Sequence, residues 1–141
     1  MLAVRAGRLP HPDDLYAIST DAPKGFILAP GGDASRGHIF YTAQCAECHG
    51  GDGTAIIFDN GEQSLGQHAR YYGYAVAMIA LSGEPGSDMG AEQALNLEPD
   101  EQAATLLDLL AALCDRERYP PGAATDPDVP DNDPRCGAYL R

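Results

Sequence analysis

Cys45, Cys48 and His49 stand in the run Cys45-Ala46-Glu47-Cys48-His49-Gly50, and these residue types at this spacing form the attachment signal for a c-type haem. On a helical turn, each thiol can form a thioether to one haem vinyl group while the neighbouring imidazole reaches the iron from the same side. Three other readings compete: a chance cluster, a zinc half-site and a redox-active C-x-x-C pair. A zinc site of the common kind needs a second Cys/His pair at suitable spacing, and the sequence holds none. The expected cofactor is one covalent haem c, held through Cys45 and Cys48, with His49 as an iron ligand.

The second iron ligand has five candidates: Met89, Met78, His68, His38 and His11. Met89 lies between Asp88 and Gly90 in a polar stretch, where a lone thioether has little core to fill, so it is the expected ligand. Met78 falls on an apolar helical stripe and reads as core. His68, at a predicted helix start, reads as a cap or surface residue, and His38 as structural. A methionine–histidine pair raises the reduction potential relative to two histidines.

The elements that must position these residues follow from the flanking sequence. Residues 1–32 hold Pro10, Pro12, Pro23 and Pro30 with Gly25, Gly31 and Gly32 and show no long helical period, which predicts an extended arm with one short turn at Asp13 to Ala17. Asp33 or Ser35 can cap a first helix towards Cys45, with Ile39, Phe40 and Ala43 on one face and Gly37 open to a close helix crossing. Glycines 50, 51, 53, 61 and 66 predict a loop over one haem edge. A second helix is expected over His68 to Leu81, with Tyr71, Tyr74, Ala75, Met78 and Ile79 as its stripe, stopped by Ser82-Gly83-Glu84-Pro85-Gly86. After a loop over 87–96, a third helix opens near Pro99 with Asp100 and Glu101 at the positive end of its dipole and Ala103, Leu106, Leu107, Leu110 and Leu113 inward. Residues 33–114 are the expected haem domain, and 115–141 an acidic, proline-rich tail.

Composition narrows the function. The chain has 141 residues, enough for one domain, and Gly 16 with Pro 11 argues for many loops. With 7% aromatic residues and no Trp, a haem is expected to supply part of the apolar core. Nine basic against twenty-one acidic residues give a net charge of −12, which excludes nucleic acid and anionic membrane surfaces as natural partners. No apolar run is long enough to span a membrane. Thioether attachment in bacteria takes place outside the cytoplasm, whereas Met1 to Arg8 lacks the apolar segment of a signal peptide; the expectation is a periplasmic protein whose export signal has been removed. An oxidising compartment also favours a disulfide between the remaining cysteines, Cys114 and Cys136, over two free thiols.

Helix, C-x-x-C-H, glycine loop, helix, methionine-bearing loop and a last helix opening Leu97-Glu98-Pro99-Asp100-Glu101 follow one another in an order that resembles a bacterial class I cytochrome c, over about residues 33 to 114. The resemblance implies an all-α, cytochrome c-like bundle of three main helices around one covalently bound haem. It also implies a crossing of first and last helices near Gly37 with Phe40 or Tyr41, iron ligation by His49 and Met89, and one-electron transfer without substrate chemistry. Two departures stand out. The last helix reads Leu106-Leu107-Asp108-Leu109-Leu110 where the family carries an aromatic, so aliphatic packing must serve. Residues 57–65 lack the proline whose carbonyl accepts the proximal imidazole proton, so another carbonyl must orient His49.

The expected function is thus a soluble electron carrier, accepting from a dehydrogenase, of the quinoprotein alcohol dehydrogenase kind by analogy, and passing electrons to an oxidase. The alternatives are a cytochrome subunit of a larger oxidoreductase and a haem site whose open sixth position binds a small gas or peroxide. Between His49 and Cys114 the only lysine or arginine is Arg70, against ten acids, and the chain's single lysine is Lys24. A lysine-ringed docking face is excluded; a partner with a basic or apolar face is expected, with Glu84, Asp88 and Glu92 flanking Met89. The simpler alternative is that the acids serve solubility.

Overall fold

The computed structural model describes residues 11–19, 25–57, 63–83, 89, 95, 97–98 and 100–120. These are predominantly helical: α1 (Pro12–Leu15), α2 (Ala34–Gln44), α3 (Ala46–His49), α4 (Leu65–Tyr71), α5 (Gly73–Ser82) and α6 (Gln102–Leu113), with β1 (Tyr16–Ser19) and β2 (Gly25–Leu28) between α1 and α2.

The crossing of α2 with α6 organises the core. Asp33 caps α2, its carboxylate accepting the Arg36 backbone N–H at 3.0 Å. Asp108 on α6 clamps the same turn, accepting from Asp33 N at 2.7 Å and from Arg36 Nε at 3.0 Å. One turn on, Gly37 lets the two backbones meet: a Cβ there would overlap the Asp108 carbonyl and come within 2.9 Å of Ala112 Cβ. The buried face of α2 is therefore Gly37 and Tyr41. Ile39, expected inside, is 69% exposed, and Ala43 is exposed as well. The glycine contact turns them outward. On α6 the buried set is Leu106, Leu109, Leu110, Ala112 and Leu113; of the expected stripe, Ala103 and Leu107 are only half-buried, and Leu109 and Ala112 take their place because α1, β2, α4 and α5 cover flanks that α2 leaves.

The expected second helix is two helices. Ser64 caps α4 by accepting from Gln67 N at 3.2 Å, and the helix starts at Leu65, three residues before His68. The chain breaks at Tyr72 (φ −129°, ψ 48°) before α5 begins. That break offsets the periodicity, so α5 buries Gly73, Val76, Ala77 and Leu81 rather than the face of Tyr74, Ala75, Met78 and Ile79, which is equally apolar but half-buried. Met78 does pack against the core. Gly83 ends α5 with φ 79° and an N–H bonded to Ile79 O at 2.7 Å.

Within the expected arm, β1 and β2 pair antiparallel, Tyr16 opposite Leu28 and Ser19 opposite Gly25. The extended arm expected over residues 1–32 therefore contains a hairpin, for which two short, largely apolar runs on either side of a Pro- and Asp-bearing segment are the sequence signal. Leu15 and Tyr16 are buried in the hydrophobic core, and the helix that carries Leu15 packs on α6, so this described part of the arm contributes to the core. Beyond α6, Tyr119 is 0% exposed, which carries the core past the expected boundary at 114. Cys114 is disulfide-bonded, with its partner outside the described residues.

Candidate functional site

Cys45 ends α2: its backbone leaves the helical region (φ −121°, ψ −31°) while its N–H still bonds Tyr41 O at 2.8 Å. One tight turn, α3, follows, in which His49 N donates to Cys45 O at 3.0 Å and Gly50 N to Ala46 O at 2.8 Å. Gly50 closes it with φ 84°, a conformation that a side chain would strain. Residues 45–49 thus place both thiols and the imidazole on consecutive turns of one short helical segment.

The three side chains differ in setting. His49 is 7% exposed, Cys45 is half-buried and Cys48 is exposed. Burial holds the His49 imidazole below its usual pKa, favouring the neutral form that can ligate a metal. Burial, with the neighbouring Cys48 as a smaller cause, pushes the Cys45 thiol up to about 11. Both cysteines are free. Among the described residues, no group of three or more His, Cys, Asp or Glu side chains is arranged to hold a metal ion. Two thiols and an imidazole at this spacing are the residue types that a covalently attached haem c would use.

Around this turn the loop is hydrogen-bonded to itself. Ala55 N donates to His49 O at 3.0 Å and Gly53 N to Gly50 O at 3.3 Å. Asp52 accepts from Thr54 Oγ1 at 2.6 Å, and that bond is the main reason its carboxyl lies below the usual range. Ile56 and Ile57, each 38% exposed, end the described part of the loop; residues 58–62 lie outside it.

Met89 is half-buried, and residues 84–88 and 90–94 on either side of it are outside the described set, which includes the acids Glu84, Asp88 and Glu92. Met78 packs on the core, His68 Nδ1 lies 3.0 Å from Gln63 Oε1, His38 Nδ1 lies 2.6 Å from the Tyr119 hydroxyl, and His11 is exposed.

Tyr119 and Ser64 were not singled out from the sequence, and Tyr41 and Arg70, expected only at the helix crossing and as a lone basic charge, have further roles near the site. Tyr41 donates its hydroxyl to Gly50 O at 2.5 Å. Tyr119 meets Tyr41 edge to face with ring centroids 4.8 Å apart, supplying from beyond α6 the aromatic that the helix itself lacks. Arg70, 4% exposed, donates from Nη1 to Leu113 O at 2.8 Å and Tyr119 O at 3.0 Å, and Ser64 Oγ donates to Pro120 O at 2.5 Å. Arg70 did carry a signal as the lone arginine or lysine between His49 and Cys114. No family model matches the chain, and no curated protein or solved structure matches it either.

Proposed function

We propose that the chain is a single-haem c-type cytochrome of the class I kind that carries one electron at a time between proteins. The observation that carries this reading is the turn at 45–49: two free thiols three positions apart and a buried imidazole directly after the second. Two further features support it. The segment follows directly from a helix that crosses the last helix at a glycine, and α5 keeps a half-buried apolar face opposite its core face.

Cys45 and Cys48 would hold the haem covalently, and His49 and Met89 would ligate its iron. Bound there, the haem supplies one-electron exchange. The protein's part is to keep His49 neutral and fixed and to exclude water from its ring by burial. With His49 and Met89 both given to the iron, the haem would serve electron carriage rather than substrate chemistry. The expected partners are a dehydrogenase that donates and an oxidase that accepts, in the periplasm. Among the described residues no helix is long and apolar enough to cross a membrane. Four cysteines less the two free ones leave Cys136 as the proposed partner of Cys114.

The test is a spectroscopic redox titration of the protein matured in a host that attaches haem c. A reversible one-electron transition with a six-coordinate, low-spin spectrum in both states is the expected result. A five-coordinate, high-spin spectrum that binds peroxide or carbon monoxide would make the site an open one instead.

A further inference from the structure

The backbone of His49 and Gly50 is held at every polar group. His49 N donates to Cys45 O at 3.0 Å, His49 O accepts from Ala55 N at 3.0 Å, and Gly50 N donates to Ala46 O at 2.8 Å. Gly50 O accepts from Gly53 N at 3.3 Å and from the Tyr41 hydroxyl at 2.5 Å. The Tyr41 bond is the one member of this set that comes from a side chain, and it reaches across from the helix that crosses α6.

Tyr41 is in turn walled by Tyr119, whose ring stands at 75° to it. Tyr119 is anchored from three directions. Its hydroxyl lies 2.6 Å from His38 Nδ1, its carbonyl accepts from Arg70 Nη1 at 3.0 Å, and the next carbonyl, of Pro120, accepts from Ser64 Oγ at 2.5 Å. Gly66 admits this segment onto α4, where a Cβ would come within 2.8 Å of Tyr119 Cβ.

We infer that Tyr41 and Tyr119 are positioning residues for the axial histidine: the Tyr41 hydroxyl fixes the Gly50 carbonyl, and the Tyr119 ring fixes Tyr41. The inference rests on the haem reading above and deepens it. The segment after the last helix thereby becomes part of the site. A buried hydroxyl that loses its acceptor, or a carbonyl that loses its donor, is a strong local constraint in either direction, and a ligand is presented accurately only when its support is locked. The hydroxyl of Tyr119 is the outer anchor, while its ring does the walling.

The variants that separate these roles are Tyr41→Phe, Tyr119→Leu and Tyr119→Phe, each matured with haem in the full chain. The readouts are covalent haem content, the paramagnetically shifted ring-proton signals of His49, the reduction potential, and amide exchange at Gly53. Tyr41→Phe should retain haem and fold, since the ring stays, yet shift the His49 signals and the potential and speed Gly53 exchange about fivefold, the change expected for one lost hydrogen bond. Tyr119→Leu should move the same signals in the same sense, and Tyr119→Phe should restore them. Haem-bearing Tyr41→Phe and Tyr119→Leu with His49 signals and potential equal to the wild type would overturn the inference while leaving the haem reading intact. A wild type that carries no covalent haem would overturn that reading itself.

Discussion

At the scale of single residues, the turn at 45–49 is read from the sequence because its chemistry is local: both thiols and the imidazole are set by consecutive positions. Met89 is the complementary assignment, argued from its place in a polar loop. Met89→Ala should leave both thioethers intact, lower the reduction potential, and open the iron to cyanide or carbon monoxide. An unchanged potential and no ligand binding would redirect the assignment to Met78. Tyr119 and Arg70 were not legible in the same way, since nothing near them in sequence says what they touch. Their partners, Tyr41, Leu113 O and each other, are assembled by the crossing of helices distant in the chain. Truncating Tyr119 to Ala should cost about 3–5 kcal/mol, the range for a buried aromatic. Arg70→Met should cost about 2–3 kcal/mol, because it strips the donor from two buried carbonyls. Chemical denaturation of the haem-bearing protein measures both.

At the scale of elements, α2 and α6 began and ended close to where the sequence placed them, because Asp33 and the leucine spacing are local signals. Which face of α2 lies inside was not readable from hydrophobicity. Ile39 is more apolar than Gly37, yet close backbone approach decides the crossing, and the glycine faces α6. Gly37→Ala should therefore cost about 3 kcal/mol, at the upper end of overpacking penalties, since the obstructing atoms are the Asp108 backbone. Thermal unfolding against an exposed control, Ala43→Gly, tests it. Tyr72 interrupts what looked like one helix, because an apolar run such as Tyr71 to Leu81 satisfies a helical period from several starting points. The cap of α2 adds a pH signature. The Arg36 N–H holds the Asp33 carboxyl below its usual value, so the folded pKa is depressed. The stabilisation is present above the unfolded-state value and lost as pH falls through the folded one. Urea midpoints of wild type and Asp33→Ala should accordingly converge as the pH is lowered through the aspartate range; a gap that persists in acid would assign the cap to packing instead.

At the scale of the whole molecule, the chain is a helical domain whose core draws on both ends of the described residues, Leu15 and Tyr16 at one and Tyr119 at the other. Composition gave no hint of either contribution. The disulfide at Cys114 belongs to the same scale. Closing about twenty residues onto Cys136 should stabilise the domain by roughly 3 kcal/mol on the chain-entropy account. Thiol titration of the denatured, unreduced, haem-bearing protein should find no free thiol if, as proposed, haem takes Cys45 and Cys48 and the bridge joins Cys114 to Cys136. On the proposed reading, the net charge of −12 would favour encounter with a partner that has a basic face. Reduction by a dehydrogenase with a basic face should slow steeply as salt screens charges beyond about 8 Å; a flat salt response would place docking on apolar contact.

Every functional statement above depends on haem being joined to this chain at Cys45 and Cys48. The direct measurement is the mass of the intact, acid-denatured protein after expression with a haem c maturation system, for wild type and for Cys45→Ala/Cys48→Ala. The account predicts a wild-type mass greater than that of the bare chain by one haem, retained through denaturation, and a double variant at the bare-chain mass. A wild type at the bare-chain mass, with maturation verified on a control cytochrome in the same cells, would contradict it.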